Sequence, residues 1–266
     1  MAAADPLEDF VREPFTHDGV THHVYRKGTG PGVVVISEIP GITPEVAAFA
    51  RAVVDAGFTV AMPDLFGQPG RPKSPGYLAR SLAAVCVSRE FTLLVRGKPS
   101  PVTGWLRALG RDLHVRCGGP GIGAVGMCLT GGFALAMMVD PVLLAPVLSQ
   151  PSLPLAVIPG HARDLGISDA DLATVKERCE VEDLCIVGLR FCGDRMAPAA
   201  RFERLRREFG DRFVGIEIPD EHANPAARPV PPHSVLTNDL IDAPGEPTRA
   251  AYDRVLDLFR ERLAPR

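Results

Sequence analysis

The run Gly126-Met127-Cys128-Leu129-Thr130-Gly131-Gly132 sets a cysteine in a glycine-rich turn, between an apolar stretch (121–127) and small residues suited to a helix (131–139). Strand, sharp turn and helix in that order form a nucleophile elbow, which lifts one side chain above a sheet. The backbone N–H after the nucleophile then points to where a tetrahedral oxyanion would form. The helix start that follows favours thiolate over thiol. Two partners come later in the chain. Asp194 closes Phe191-Cys192-Gly193-Asp194, just past a strand-like run, where a carboxylate can orient an imidazole. His233, in Pro231-Pro232-His233-Ser234-Val235, lies between the last strand-like run and the C-terminal helix. Taken singly, Cys128 reads as a buried thiol and Asp194 as a turn residue or cap. Their order, nucleophile then acid then histidine, instead suits covalent acyl chemistry. His222 competes with His233 but falls directly at a strand end, so His233 is preferred.

Such side chains need a sheet to carry them. Val33-Val34-Val35-Ile36 is a continuous β-branched run, the pattern of a strand buried on both faces. Thr43, Pro44 and Glu45 open a helix as cap, first-turn proline and dipole-complementing acid, and Gly57 ends it. A second buried strand over 58–62 then implies a right-handed crossover. An early strand is expected over 21–25, helices over 77–87 and 103–115, and an extended stretch over 91–95. Further strands are expected over 121–127, 142–148, 184–191 and 213–218, and helices over 131–139, 199–209 and 252–263. This alternation predicts a three-layer α/β architecture with a mostly parallel central sheet. A single domain over 1–266 is expected, with 1–32 as an N-terminal extension holding early strands. Residues 219–247, rich in proline and polar side chains, read as active-site loops.

Composition narrows the alternatives. The 266 residues are 46% hydrophobic with a net charge of −3, enough to bury a large core. The charge balance offers no electrostatic reason to expect nucleic acid. No uninterrupted window of about 18 apolar residues suggests a membrane span. The acidic first residues lack the pattern of a secretion signal, so the six cysteines read as thiols in a reducing cytoplasm. The expectation is a cytoplasmic monomer or homodimer without a cofactor. Cys179, Cys185 and Cys192 lack zinc-ligand spacing. Gly118 to Gly123 precedes its strand, where a dinucleotide loop would follow one. Arg201, Arg204, Arg206 and Arg207 alternate with Glu203 and Glu208 and read as a solvated face. Trp105 with Leu106, Leu109 and Leu113 reads as core.

Five stretches, taken in order, resemble the dienelactone hydrolase family of α/β-hydrolases: VVVISEIPG (33–41), AMPDLFG (61–67), GAVGMCLTGG (123–132), Gly193-Asp194 and His233. The resemblance covers most of the chain from Val33 onward. It implies the α/β-hydrolase fold, a Cys128–His233–Asp194 triad and hydrolysis of an ester or lactone. It implies an oxyanion hole from the N–H groups of Leu129 and Ile39, and a Glu38 carboxylate that contacts the resting thiol and keeps it protonated until substrate arrives. Two departures stand out. The family's elbow has glycine where this chain has Thr130, a β-branched residue in a cramped turn. Dienelactone-cleaving members carry a carboxylate-binding arginine where this chain has Thr237, and Arg89 is the candidate for a second one. Both departures argue against dienelactone as the substrate. A thiolate expels alkoxides poorly, so an activated ester, enol-lactone or thioester is the expected small-molecule substrate. Acyl transfer, lactone rearrangement and a catalytically silent small-molecule-binding protein remain open from the residues alone.

Overall fold

The alternation of β-branched and amphipathic runs builds a central sheet in the computed structural model, which describes residues 3–87, 90–91, 97–158, 160–227 and 231–264. Its eight strands among those residues are β1 (Val11–His17), β2 (Val20–Lys27), β3 (Gly32–Ile36), β4 (Thr59–Pro63), β5 (Ile122–Met127), β6 (Leu143–Ser149), β7 (Ile186–Phe191) and β8 (Phe213–Ile218). They lie in the order β1-β2-β4-β3-β5-β6-β7-β8. β2 runs antiparallel to β1 and β4, and the other pairings are parallel.

Helices cover both faces. α1 (Pro44–Asp55) and α7 (Pro247–Leu263) lie on one side. α2 (Pro75–Val87), α3 (Val102–Cys117), α4 (Phe133–Met137), α5 (Asp169–Val181) and α6 (Ala199–Phe209) lie on the other. The period of two along β3 sends Val33 and Val35 into the first core and Val34 and Ile36 into the second. All four are fully buried, each worth roughly 1.5–3 kcal/mol over exposure. α1 starts as its sequence indicates: Thr43 Oγ1 accepts from the Val46 N–H. Trp105 is core, its indole N–H donating to the Val20 carbonyl at 3.2 Å.

Register fixes where the chemistry emerges. Ile36 is level with Gly126, and Met127 with Ser149, so the residues after β3, β5 and β6 leave the sheet side by side at its carboxyl edge. Some elements differ from expectation. The helix expected over 131–139 is present but shorter, as α4 over Phe133–Met137, and a 3-10 turn, Cys128–Thr130, precedes it. β1 pairs with β2 from Val20 to Arg26, so the N-terminal stretch is a sheet edge. α5, capped by Ser168, had no strong sequence pattern. α7 starts at Pro247, five residues before its expected start. The extended stretch expected over 91–95 lies outside the described residues from 92 onward. Arg201 is buried, 1% exposed, and belongs to no solvated face.

Candidate active site

β5 delivers Cys128 into the turn with φ of +56°, in the left-handed region that side chains rarely adopt. Close packing holds that turn. A Cβ on Gly126 would lie 2.1 Å from the Thr130 carbonyl oxygen, and one on Gly131 would lie 2.6 Å from Pro151 Cα. Thr130 fits because its side chain is turned beneath the elbow. Its Oγ1 accepts from the Met127 N–H at 2.9 Å and lies 3.0 Å from the Ile36 carbonyl, to which it can donate. The hydroxyl thus ties the elbow to the end of β3. Ser152 N–H donates to the Cys128 carbonyl at 2.9 Å, fixing the turn from the β6 side. Leu129 and Ile39 are buried, and their backbone N–H groups enter no turn or loop hydrogen bond among the described residues.

His233 Nδ1 and Asp194 Oδ2 are 2.7 Å apart. The other Asp194 oxygen accepts from the backbone N–H groups of Met196, at 2.9 Å, and Ala197, at 3.3 Å. Buried Arg190 shapes that loop by donating to the carbonyls of Ala197, Cys192 and Asp194 and pairing with Glu217. On the far side of the ring, His233 Nε2 is buried without a hydrogen-bond partner. Burial alone would push the His233 pKa down. The negative charge of Cys128 and the hydrogen bond to Asp194 more than offset it and hold the imidazolium well above its ordinary value. His222 instead stands 3.7 Å from Glu246 at the surface.

Glu38, 1% exposed, leaves β3 toward the histidine loop. Its Oε1 accepts from Thr237 Oγ1 at 2.6 Å and Asn238 Nδ2 at 3.4 Å. Its Oε2 accepts from Ser234 Oγ at 2.7 Å and Gln150 Nε2 at 3.4 Å. Among the described residues, no hydrogen bond joins Glu38 to Cys128. Thr237 therefore spends its hydroxyl on Glu38. Arg89 lies outside the described residues. Asp239 closes the histidine loop from within: Oδ2 accepts from the backbone N–H groups of His233 and Ser234, at 3.0 and 2.9 Å. The structure thus brings Cys128, His233, Asp194, Leu129, Ile39, Glu38 and Thr237 to one edge of the sheet. Sequence reasoning missed Gln150, Arg190, Ser234, Asn238 and Asp239, ordinary polar residues whose partners the folded loops bring to them. Only the position of Ser234 beside His233 offered a signal.

Among the described residues no helix is long and apolar enough to cross a membrane. The family model described as the dienelactone hydrolase family matches residues 20–149. No curated protein matches the chain. Among solved structures, the chain is similar to a dienelactone hydrolase-like promiscuous phosphotriesterase from metagenomic libraries, with 16% identity and a TM-score of 0.63 over 96% of this chain and 98% of that one. It is similar to dienelactone hydrolase from Anabaena variabilis, with 14% identity and a TM-score of 0.60 over 96% and 98%. A cold-adapted esterase from an Arctic intertidal metagenomic library shares 13% identity, with a TM-score of 0.53 over 95% and 93%. At such identities the likeness establishes a shared fold.

Proposed function

We propose that the chain is a member of the dienelactone hydrolase family, whose model matches residues 20–149, and that it hydrolyses an activated ester, enol-lactone or thioester through Cys128, His233 and Asp194. The observation that carries this reading is the His233 ring, held by Asp194 at 2.7 Å on one side with its other nitrogen buried and unpaired on the side of Cys128. An orienting carboxylate, a base and a nucleophile on a strained turn are the parts that covalent acyl transfer to water requires.

The steps follow from the parts. The substrate carbonyl oxygen sits against the Leu129 and Ile39 amides, whose N–H groups stabilise the oxyanion. His233 already holds the Cys128 proton as an imidazolium beside the thiolate, and Asp194 orients and stabilises that ring. The thiolate attacks the carbonyl carbon, the tetrahedral adduct collapses, and His233 returns the proton to the departing alcohol, enol or thiol. Water, deprotonated by His233, then attacks the thioester and releases the acid, and the thiolate beside the imidazolium is restored. Thr237 is neutral and already hydrogen-bonded to Glu38, so it offers no cation to a substrate carboxylate. The reading therefore favours an acyl group without a carboxylate over dienelactone.

The test is alkylation with iodoacetamide. Modification mapped to Cys128 should abolish p-nitrophenyl acetate turnover in step with labelling, and Cys128→Ala should be inactive. Full turnover in Cys128→Ala would discard the nucleophile. A wild-type protein inert on esters, lactones and thioesters alike would favour a silent binding protein.

A further inference from the structure

The Glu38 carboxylate is saturated. A carboxylate offers about four acceptor sites, and four side chains donate to this one, two on each oxygen. Three of the four, Ser234, Thr237 and Asn238, belong to the loop that carries His233. The fourth, Gln150, stands at φ of +36° just past β6 and also pairs with Ser149. A group that kept the resting thiol protonated would need a free acceptor site facing sulfur, and all four sites here are taken.

The loop itself is closed internally by Asp239, and the Thr237 and Asp239 amides both donate to the Ser234 carbonyl. It is thus a preformed unit that must be docked against the elbow. Glu38 is the contact that docks it, since its own strand β3 is in register with β5 and hence with Cys128. We propose that Glu38 is a positioning residue that holds the His233 loop against the elbow and leaves the resting Cys128 sulfur uncapped, facing the open Nε2 of His233.

This rests on the Cys128–His233–Asp194 reading and adds a role to it. The charged groups that bear on His233 are Asp194 from the loop after β7, Cys128 from the elbow and Asp239 through backbone amides. Glu38 is hydrogen-bonded to Ser234 beside His233, and the charges of Glu38 and Lys73 both bear on Asp239. Displacing the loop moves the imidazole away from sulfur, so the thiolate loses its partner. A cap and a docking contact therefore predict opposite signs when Glu38 is changed.

The experiment follows carboxymethylation of Cys128 by iodoacetamide between pH 5 and 9, located by peptide mapping because Cys192 is exposed. Wild type is compared with Glu38→Gln, Thr237→Val, Thr237→Ser and Ser234→Ala. Glu38→Gln should label Cys128 about tenfold more slowly than wild type at pH 7, the scale expected of a misplaced partner. Its labelling profile should also move to higher pH. Thr237→Val and Ser234→Ala should change in the same direction by less, and Thr237→Ser should restore the wild-type rate. Labelling as fast as wild type or faster in Glu38→Gln would overturn the proposal and support a thiol cap. If Glu38→Gln does not fold, an unchanged or increased rate in both Thr237→Val and Ser234→Ala overturns it instead. Failure of the triad reading looks different: wild-type turnover would survive complete labelling of Cys128.

Discussion

A thiol on a tight turn reacts only as well as the turn presents it, and at Cys128 one hydroxyl does much of the presenting. Thr130 Oγ1 gives the buried Met127 N–H an acceptor and reaches the Ile36 carbonyl, so it joins the strand before Glu38 and Ile39 to the turn carrying Cys128 and Leu129. Thr130→Val keeps the shape and removes the oxygen, leaving that amide unpaired. The expected cost is about 1–3 kcal/mol of stability, read by denaturant titration. The two proposed oxyanion donors also lose their tie, so kcat on p-nitrophenyl acetate should fall about tenfold with little change in KM. Thr130→Ser should restore both, and a fully active Thr130→Val would show that the bond is dispensable. Asp194 supports a second prediction. Its hydrogen bond and charge help hold the His233 pKa above the ordinary value against burial and after the influence of Cys128. Asp194→Asn keeps a hydrogen-bonding group but removes the negative charge, so the imidazolium is less stabilised and the pKa moves down. Proton NMR of the His233 ring should record that downward move, together with a loss of kcat/KM of about a thousandfold. An upward or absent shift would remove Asp194 from the role.

Elements matter through the loops they brace, and the loop after β6 shows this best. From α6, Arg201 donates to four backbone carbonyls: Pro151 at 2.6 Å, Pro154 at 2.7 Å, Asp164 at 2.8 Å and His161 at 2.9 Å. Burial pushes its pKa down to about 10, so the guanidinium keeps its charge at neutral pH and serves as a fork for carbonyl dipoles. The same loop supplies Ser152 to the Cys128 carbonyl and Pro151 against Gly131. Arg201→Met should therefore cost on the order of 4 kcal/mol and lower turnover as well. Arg201→Lys should rescue little, because one ammonium cannot reach four carbonyls. Thermal denaturation and ester kinetics on the two variants check this, and a stable, active Arg201→Met would refute it. None of this bracing was legible in the sequence, where alternating charge along 201–208 suggests a wet face. Alternation says that a helix has a polar side, and it does not say which arginine meets a loop arriving from fifty residues away. β3, β4 and α1 were legible because their signals are local: a β-branched run, a capping threonine, a terminal glycine. At the site, strand ends and chain order brought Asp194 and His233 into view. Gln150 and Asn238 stayed hidden because their partner, Glu38, arrives from the end of a distant strand, and Asp239 because only the folded loop brings it onto the His233 and Ser234 amides.

Across the whole molecule, the two cores on opposite faces of the sheet each bury an acidic group that ionises only at high pH. Cys179 of α5, 1% exposed, lies in the core of α2–α6, and burial pushes its thiol from 9.0 up to about 11. Tyr252 of α7, 7% exposed, lies in the core of α1 and α7, and burial pushes its phenol from 10.0 up to about 12. Below their unfolded values both groups are protonated in either state, and stability is fully present. Between pH 9 and 11 the unfolded chain loses the Cys179 proton while the fold retains it, so the unfolded state binds fewer protons and stability falls as pH rises. Tyr252 adds the same loss between pH 10 and 12. Each group contributes a slope approaching about 1.4 kcal/mol per pH unit within its window. Urea denaturation at pH 8, 9, 10 and 11 should show wild-type stability declining from pH 9 and more steeply from pH 10. Cys179→Ala will be less stable at pH 8 through its cavity, yet its decline between pH 9 and 10 should be shallower than that of wild type, the raised thiols of Cys185 and Cys192 keeping the remainder. Tyr252→Phe should keep the first decline and soften the second, to which Tyr25 and Tyr77 also contribute. Parallel curves for all three proteins would show that neither core resists ionisation and that alkaline unfolding starts at the surface.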